Sequence, residues 1–164
     1  MKVEDLPLII SILAFAATIW HFNRVRHHFK LSVTPHLNLD YDTSSKDSER
    51  GVYIENNGVG PAIITSFKVY LNEKVVIENN LGSWWDVTKT LNVGTDNIAV
   101  FKYNSNDSIP SNKRQFLYYY QNEQDKDPDY YDFYESIKSI KIVVGYKSIY
   151  GVKQKDACFE FTHT

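Results

Sequence analysis

The sequence predicts a mainly β protein, in which an N-terminal transmembrane helix precedes an immunoglobulin-like β-sandwich with one short helix. Three observations carry this prediction: an uncharged apolar run near the N-terminus, a series of short alternating segments, and the turn residues that separate them. The same strands could also close into a small barrel, which is the alternative architecture.

The chain of 164 residues is predicted to have two parts. Residues 1–30 form the transmembrane anchor and a basic juxtamembrane helix, and residues 31–164 form a cytoplasmic β-sandwich domain. The composition, 43% hydrophobic and 15% aromatic, is that of a folded chain rather than a disordered one. The single cysteine, Cys158, excludes an internal disulfide, which suits a reducing cytoplasm.

The anchor is predicted over Leu6 to Phe22, a run that carries no formal charge and is apolar on every side of a helix. Its roughly 17 residues span about 25 Å, slightly less than a hydrocarbon core of about 30 Å. Acidic residues precede the run and basic residues follow it, which predicts a single pass through the bacterial inner membrane, with the N-terminus outside. A cleaved signal peptide is the alternative, although the acidic start opposes it. The predicted membrane-interface residues are Trp20, Arg24, Arg26 and Lys30.

Alternation begins at Leu31, and a first strand is predicted over residues 31–41 with an interruption at Pro35. After a polar loop, three consecutive antiparallel strands are predicted over residues 52–55, 62–71 and 74–78. The predicted structural turn between the first two consists of Asn56, Asn57, Gly58, Gly60 and Pro61.

The second half of the domain is predicted to hold five strands and one helix. Two short strands are expected over residues 90–93 and 98–103, and aromatic residues on both faces of residues 114–121 indicate a central strand. Asp127 is the expected N-cap of a helix that begins at Pro128. Its apolar stripe, expected to pack on the sheet, is Tyr130, Phe133, Tyr134 and Ile137. Residues 140–146 and 152–161 are predicted to form a closing hairpin that turns near Tyr150.

The run from Ile54 to Ala62 resembles the N-x-G-x-G-P-A hairpin of bacterial single-pass membrane-anchored proteins with an immunoglobulin-like β-sandwich. Residues 33–37 and 146–151 are similar to the opening and the last hairpin of the same proteins. The function of that family is unassigned, so the resemblance implies a fold and a membrane anchor rather than an activity.

No catalytic residue is predicted, because the motifs of zinc proteases, serine hydrolases and P-loop enzymes are missing from the sequence. We therefore expect a protein that is not an enzyme and has no cofactor. An acidic run at residues 123–132 lacks the Gly and Glu that a calcium loop requires, so no metal site is predicted. Residues 31–164 hold fourteen basic and eighteen acidic residues, which argues against general nucleic-acid binding.

The aromatic residues exceed what a core of this size requires, and some are predicted to form a stacking pocket with basic side chains that hold a phosphate. Packing in the core remains the default interpretation for most of them. The residues predicted to bind the ligand are Trp84, Trp85, Lys113, Arg114, Tyr118 and Tyr120.

Two functional hypotheses follow. In the first, the protein is a sensor and effector: its β domain binds a small ligand, such as a cyclic nucleotide, or a protein partner, and the chain acts by forming homo-oligomers in the bilayer. This layout resembles small membrane effectors of antiphage defence. In the alternative, the protein is a passive tether or scaffold that holds a cytoplasmic protein at the membrane through a strand edge or the Trp84–Trp85 loop.

Overall fold

The computed structural model describes residues 6–43, 49–94, 96–121 and 128–161. The chain divides into two compact units, Met1–Val33 and Thr34–Thr164. The first contains one helix, and the second contains all of the described strands.

Helix α1 spans Leu6–Ser32 and confirms the helix predicted for this segment. It runs past the predicted start of the first strand, so the strand assignment of Leu31 was wrong. The first residue that opposes a helix is Pro35, which disfavours helical geometry in the residue before it. Among the residues that the structure describes, no helix is long and apolar enough to cross a membrane. The described part of the chain therefore does not bear out the predicted transmembrane anchor.

Over its described residues, the second unit is mainly β, with two antiparallel sheets and two short helices. Its elements are β1 (Leu37–Asp42), β2 (Glu49–Asn56), β3 (Ala62–Leu71), β4 (Lys74–Glu78), α2 (Trp84–Leu91), β5 (Ile98–Val100), β6 (Ser108–Ile109), β7 (Arg114–Gln121), α3 (Pro128–Ile137), β8 (Ile140–Ser148) and β9 (Ala157–Glu160). The strands predicted over residues 62–71, 74–78 and 114–121 are confirmed at those boundaries.

The first sheet has the strand order β1-β2-β7-β5, and the second has the order β4-β3-β8-β9, with β6 paired to β3. The central position predicted for residues 114–121 is confirmed, because β7 lies between β2 and β5. Ile54 and Leu117 of the first sheet and Phe67 and Ile142 of the second are fully buried in one apolar cluster. Two sheets around a shared core are consistent with the predicted β-sandwich.

The strand predicted over residues 90–93 does not form, because residues 90–91 are the end of helix α2 and Asn92 caps it. Ser83 caps its N-terminus by accepting a hydrogen bond from the Trp85 amide at 3.1 Å, and Asn92 ends it in the left-handed conformation. The buried side of the helix carries Trp84 and Val87, which are three positions apart. The prediction of a single helix in this unit was therefore wrong.

Helix α3 confirms the second predicted helix, although its expected cap, Asp127, lies outside the described residues. Phe133 and Ile137 are fully buried. The Phe133 ring lies 4.9 Å from that of Tyr118 and 5.6 Å from that of Tyr120, so the helix packs on the first sheet as predicted.

One buried hydrogen bond joins the beginning of the β unit to a strand near its end. The Leu37 amide, at the start of β1, donates to the Tyr146 hydroxyl of β8 at 3.1 Å. The bond therefore crosses from the first sheet to the second.

Candidate functional site

The six residues predicted to bind a ligand do not lie together. Trp84, Tyr118 and Tyr120 are buried in the core, whereas Trp85 is exposed on α2. Arg114 is the first residue of β7 and Lys113 directly precedes it, at the opposite end of that strand from Tyr120. The structure brings three of the six into the core and divides the others between two separate surfaces.

Trp84 is occupied by contacts within the core. Its ring stacks on that of Tyr118, with centroids 5.2 Å apart and planes 8° from parallel. Its Nε1 donates a hydrogen bond to the Phe101 carbonyl at 3.0 Å. Because one face and the only polar group of the indole are already used, Trp84 acts as a structural side chain.

The hydroxyl groups of the two buried tyrosines of β7 also have hydrogen-bonding partners within the domain. The Tyr118 hydroxyl lies 3.2 Å from Ser136 Oγ of α3, and burial raises the pKa of Tyr118 to about 12. The Tyr120 hydroxyl accepts a hydrogen bond from Asn97 Nδ2 at 3.1 Å. Both hydroxyls therefore stabilise neighbouring segments of the chain.

Arg114 lies in a charged cluster of its own. Its guanidinium contacts Asp42 Oδ2 at 3.0 Å and Glu55 Oε1 at 3.6 Å, and it covers the Tyr53 ring at 4.1 Å from the centroid. Two carboxylates balance its charge, so a phosphate would have to displace at least one of them. The arrangement therefore favours a structural role for Arg114, which links β1, β2 and β7, over a role in binding an anion.

Of the predicted turn residues, Asn56 is the last residue of β2, and the connection between β2 and β3 contains Asn57, Gly58, Gly60 and Pro61. Asn56 is fully buried, and its side chain makes four hydrogen bonds. Oδ1 accepts from the amides of His36 at 3.1 Å and Gly58 at 3.0 Å. Nδ2 donates to the carbonyls of Gly60 at 2.9 Å and Ile109 at 3.0 Å. The side-chain amide of Asn56 therefore links three parts of the chain: the residue before β1, the connection between β2 and β3, and strand β6.

The predicted membrane-interface residues all lie on α1. Trp20, Arg24, Arg26 and Lys30 are exposed, and the Arg24 guanidinium lies 5.1 Å from the centroid of the Trp20 ring. Large apolar side chains around the same helix, including Leu13 and Phe15, are exposed as well.

A cavity of about 470 Å³ lies on the second sheet where α3 meets β8. Two lysines line it, but both form ion pairs: Lys138 with Glu135 at 2.5 Å and Lys141 with Glu160 at 2.7 Å. Because these carboxylates balance the cations, the cavity lacks the excess positive charge that a nucleotide phosphate requires.

Trp85 and Val100 form a separate apolar surface, here called the Trp85 patch. Trp85 is 64% exposed and Val100 is 45% exposed. Between them lies a cleft of about 70 Å³, lined in addition by Trp84, Thr88 and Ile98. A large exposed indole beside an apolar cleft is typical of a surface that binds another protein.

The backbone next to the Trp85 patch is a sheet edge. Among the described strands, β5 pairs only with β7. The Asn97 carbonyl accepts from Gln121 and the Phe101 amide donates to Leu117, both bonds being directed toward β7. Because backbone groups alternate in direction along an antiparallel strand, those of Ile98 and Val100 point away from β7. They are the groups that an added strand would pair with.

Within the described ranges, no three side chains of His, Cys, Asp or Glu are grouped so that they could hold a metal ion. The acidic run considered in the sequence lies largely outside those ranges, since residues 122–127 are not described.

No protein-family model matches the chain, and no curated protein has a similar sequence. The resemblance to bacterial membrane-anchored sandwich proteins therefore stays a prediction.

Proposed function

We propose that this protein is a non-enzymatic scaffold, associated with the cytoplasmic side of a bacterial membrane, whose immunoglobulin-like domain holds a protein partner at the Trp85 patch. The observation that carries the proposal is the exposed Trp85 beside β5, which is the edge strand of the first sheet among the described strands. The geometry favours this function over a small-ligand sensor, because Trp84, Tyr118 and Tyr120 are used in the core.

The strand order supports an immunoglobulin-like fold. In such domains one sheet has the order A-B-E-D, and the other contains C, F and G, with an added strand C′ in some members. With β6 left out, the strands β1, β2, β3, β4, β5, β7, β8 and β9 correspond in chain order to A, B, C, C′, D, E, F and G. The first sheet then has the order A-B-E-D, and the second has the order C′-C-F-G. A sandwich of this kind presents loops and sheet edges for binding, while its core carries no chemistry.

Two features of the sequence support membrane association on the cytoplasmic side. Helix α1 exposes apolar side chains around its first half, and Arg24, Arg26 and Lys30 follow them. Basic residues of this kind are attracted to the anionic lipids of the inner leaflet. The lone Cys158 fits a reducing compartment.

The Trp85 patch has the chemistry of a site that binds protein. Tryptophan is the residue most enriched among those that dominate binding energy, and a neighbouring apolar cleft can accept a side chain of the partner. The outward amides of β5 add main-chain hydrogen bonds for an extended segment. Together these groups favour a partner that presents a short β strand with one apolar side chain.

Photo-crosslinking in cells that produce the full chain tests this function. A photoreactive amino acid in place of Val100 is expected to give one discrete adduct, and Trp85→Asp is expected to abolish it. The substitution should leave α2 intact, because Asp in the first turn interacts favourably with the helix dipole. The same photoreactive residue in place of Thr65, which is exposed on β3, is the matched control and should give no adduct.

Removing residues 6–22 separates the two parts of the proposal. The adduct should persist, while the protein moves from the membrane fraction to the supernatant. An adduct that survives Trp85→Asp, or one that forms equally from position 65, would contradict the assigned surface.

A further inference from the structure

A second exposed surface lies at the end of the β unit where β1 begins. Three connections meet there and are joined through the backbone: the Asn57 amide donates to the His36 carbonyl at 2.8 Å, and the Asn112 amide donates to the Asn56 carbonyl at 2.8 Å. The loop that follows β8 lies at the same end, because Ser148 pairs with Ala62, the first residue of β3.

This end exposes large apolar side chains at the tips of its loops. Val59, in the connection between β2 and β3, is 69% exposed, and Ile149, Tyr150 and Val152 are each about half exposed. The tip after β8 is a defined turn, since the Gly151 amide donates to the Ser148 carbonyl at 2.9 Å and Gly151 has a φ of 78°. The fold therefore holds these side chains outward in an ordered loop.

Lysines surround the apolar tips. Lys147 and Lys153 lie directly opposite each other in an antiparallel bridge, and Lys155 and Lys113 lie in the adjoining loops. In the described part of the chain, none of these four lysines forms an ion pair. Like charges placed opposite each other across a strand pair are unfavourable unless an anion lies between them.

The charge at this end contrasts with the remainder of the domain. Residues 104–113 and 147–156 carry four lysines and two aspartates, whereas residues 31–164 as a whole carry more acidic than basic residues. An apolar tip with basic flanks on an otherwise acidic domain matches one class of surface, the boundary between anionic headgroups and acyl chains.

We propose that this lysine-flanked tip, formed by Val59, Ile149, Tyr150 and Val152 with Lys113, Lys147, Lys153 and Lys155, docks on an anionic phospholipid surface. The apolar side chains enter the headgroup region, the Tyr150 ring lies at the interface, and the ammonium groups contact lipid phosphates. This surface shares no residue with the Trp85 patch, so each proposal can be tested, and refuted, independently of the other.

A fluorescent probe placed at the tip of the full chain tests the docking. In a Cys158→Ser background, a single cysteine at Val152 carries an environment-sensitive dye. The matched control carries the dye at Lys74, which is exposed beside the turn at the opposite end of β3. Each protein is mixed with phosphatidylcholine vesicles, with and without phosphatidylglycerol. The emission wavelength and the accessibility to a water-soluble quencher are then measured.

The dye at position 152 is expected to shift to the blue and to lose quenching on vesicles that contain phosphatidylglycerol, while the dye at position 74 stays quenched. Replacing Lys147, Lys153 and Lys155 by Gln should remove the response, as should high salt. The proposal is overturned if the two dye positions respond alike, if the Gln variant keeps the response, or if neutral vesicles give the same shift.

Discussion

The ring of Trp84 lies parallel to that of Tyr118, with 5.2 Å between their centroids, while the adjacent Trp85 points to solvent. Two neighbouring tryptophans therefore have opposite roles. Trp84 fills the core where α2 meets the first sheet, and Trp85 forms the exposed patch.

Substituting each tryptophan in turn should separate stability from binding. Trp84→Ala is expected to lower the free energy of unfolding by about 3–5 kcal/mol, because it removes a buried aromatic side chain and leaves a cavity. Trp85→Ala should change stability by less than about 0.5 kcal/mol. Urea unfolding followed by circular dichroism measures both, and similar losses in the two variants would contradict the assigned roles.

The Asn56 side chain is expected to contribute strongly to the stability of the domain. Asn56→Ala leaves two amides and two carbonyls without their partner, and an expected loss of about 2–4 kcal/mol follows from the desolvation of these buried groups. Asn57→Ala, at the exposed neighbouring position, is the matched control and should cost less than about 0.5 kcal/mol. Equal unfolding midpoints for the two variants would refute the role of Asn56.

Gly58 is required by a close approach between two backbones. A Cβ at this position would overlap the His36 amide nitrogen, whereas a Cβ at Gly94 would meet nothing within 4 Å. Gly58→Ala is therefore expected to destabilise the domain by about 1–3 kcal/mol, since the backbone of residues 35–36 must shift. Gly94→Ala should have little effect on the melting temperature. Equal melting temperatures for the Gly58→Ala and Gly94→Ala variants would contradict the close approach between the two backbones.

Alkaline pH should destabilise the domain through its buried tyrosines. Burial raises the pKa of Tyr118 from 10.0 to about 12, so between these values the unfolded state loses a proton that the folded state keeps. The stabilising contribution is thus complete below pH 10 and is lost as the pH rises toward 12. Burial also raises the pKa of Tyr103 to about 12, which adds to the same trend.

Unfolding measured at a series of pH values checks this expectation. Tyr118→Phe should make the loss of stability above pH 10 less steep, although it also removes the contact with Ser136. Tyr150→Phe, at an exposed loop position, should keep the slope of the parent protein. Identical slopes for the parent and the Tyr118→Phe variant would contradict the role given to burial.

The sequence was most informative where one physical signal was strong and local. Strand-like runs bounded by turn residues predicted β3 and β4 at their observed bounds, and aromatic residues on both faces identified β7 as central. Helix α2 was missed because residues 90–93 were read as alternating. The better signal was an apolar stripe at helical spacing, formed by Trp84, Val87, Thr88 and Leu91, after the Gly82-Ser83 pair.

The candidate site was harder to predict, because it depends on distances across the fold. The sequence placed Trp84 and Trp85 together as ligand residues, but the helix turns one inward and the other outward. Arg114 looked available for a phosphate, yet Asp42 lies 72 positions earlier and is brought beside it only by the pairing of the first sheet. Neither composition nor spacing reports such a neutralising contact.

The bond between the Leu37 amide and the Tyr146 hydroxyl has a consequence for the order in which the domain can be completed. Its partners are separated by 109 positions, so the beginning of β1 cannot gain this interaction until residue 146 has left the ribosome. Until then the start of β1 lacks this hydrogen-bond partner. A chain terminated before residue 146 would therefore leave β1 more exposed to aggregation and proteolysis.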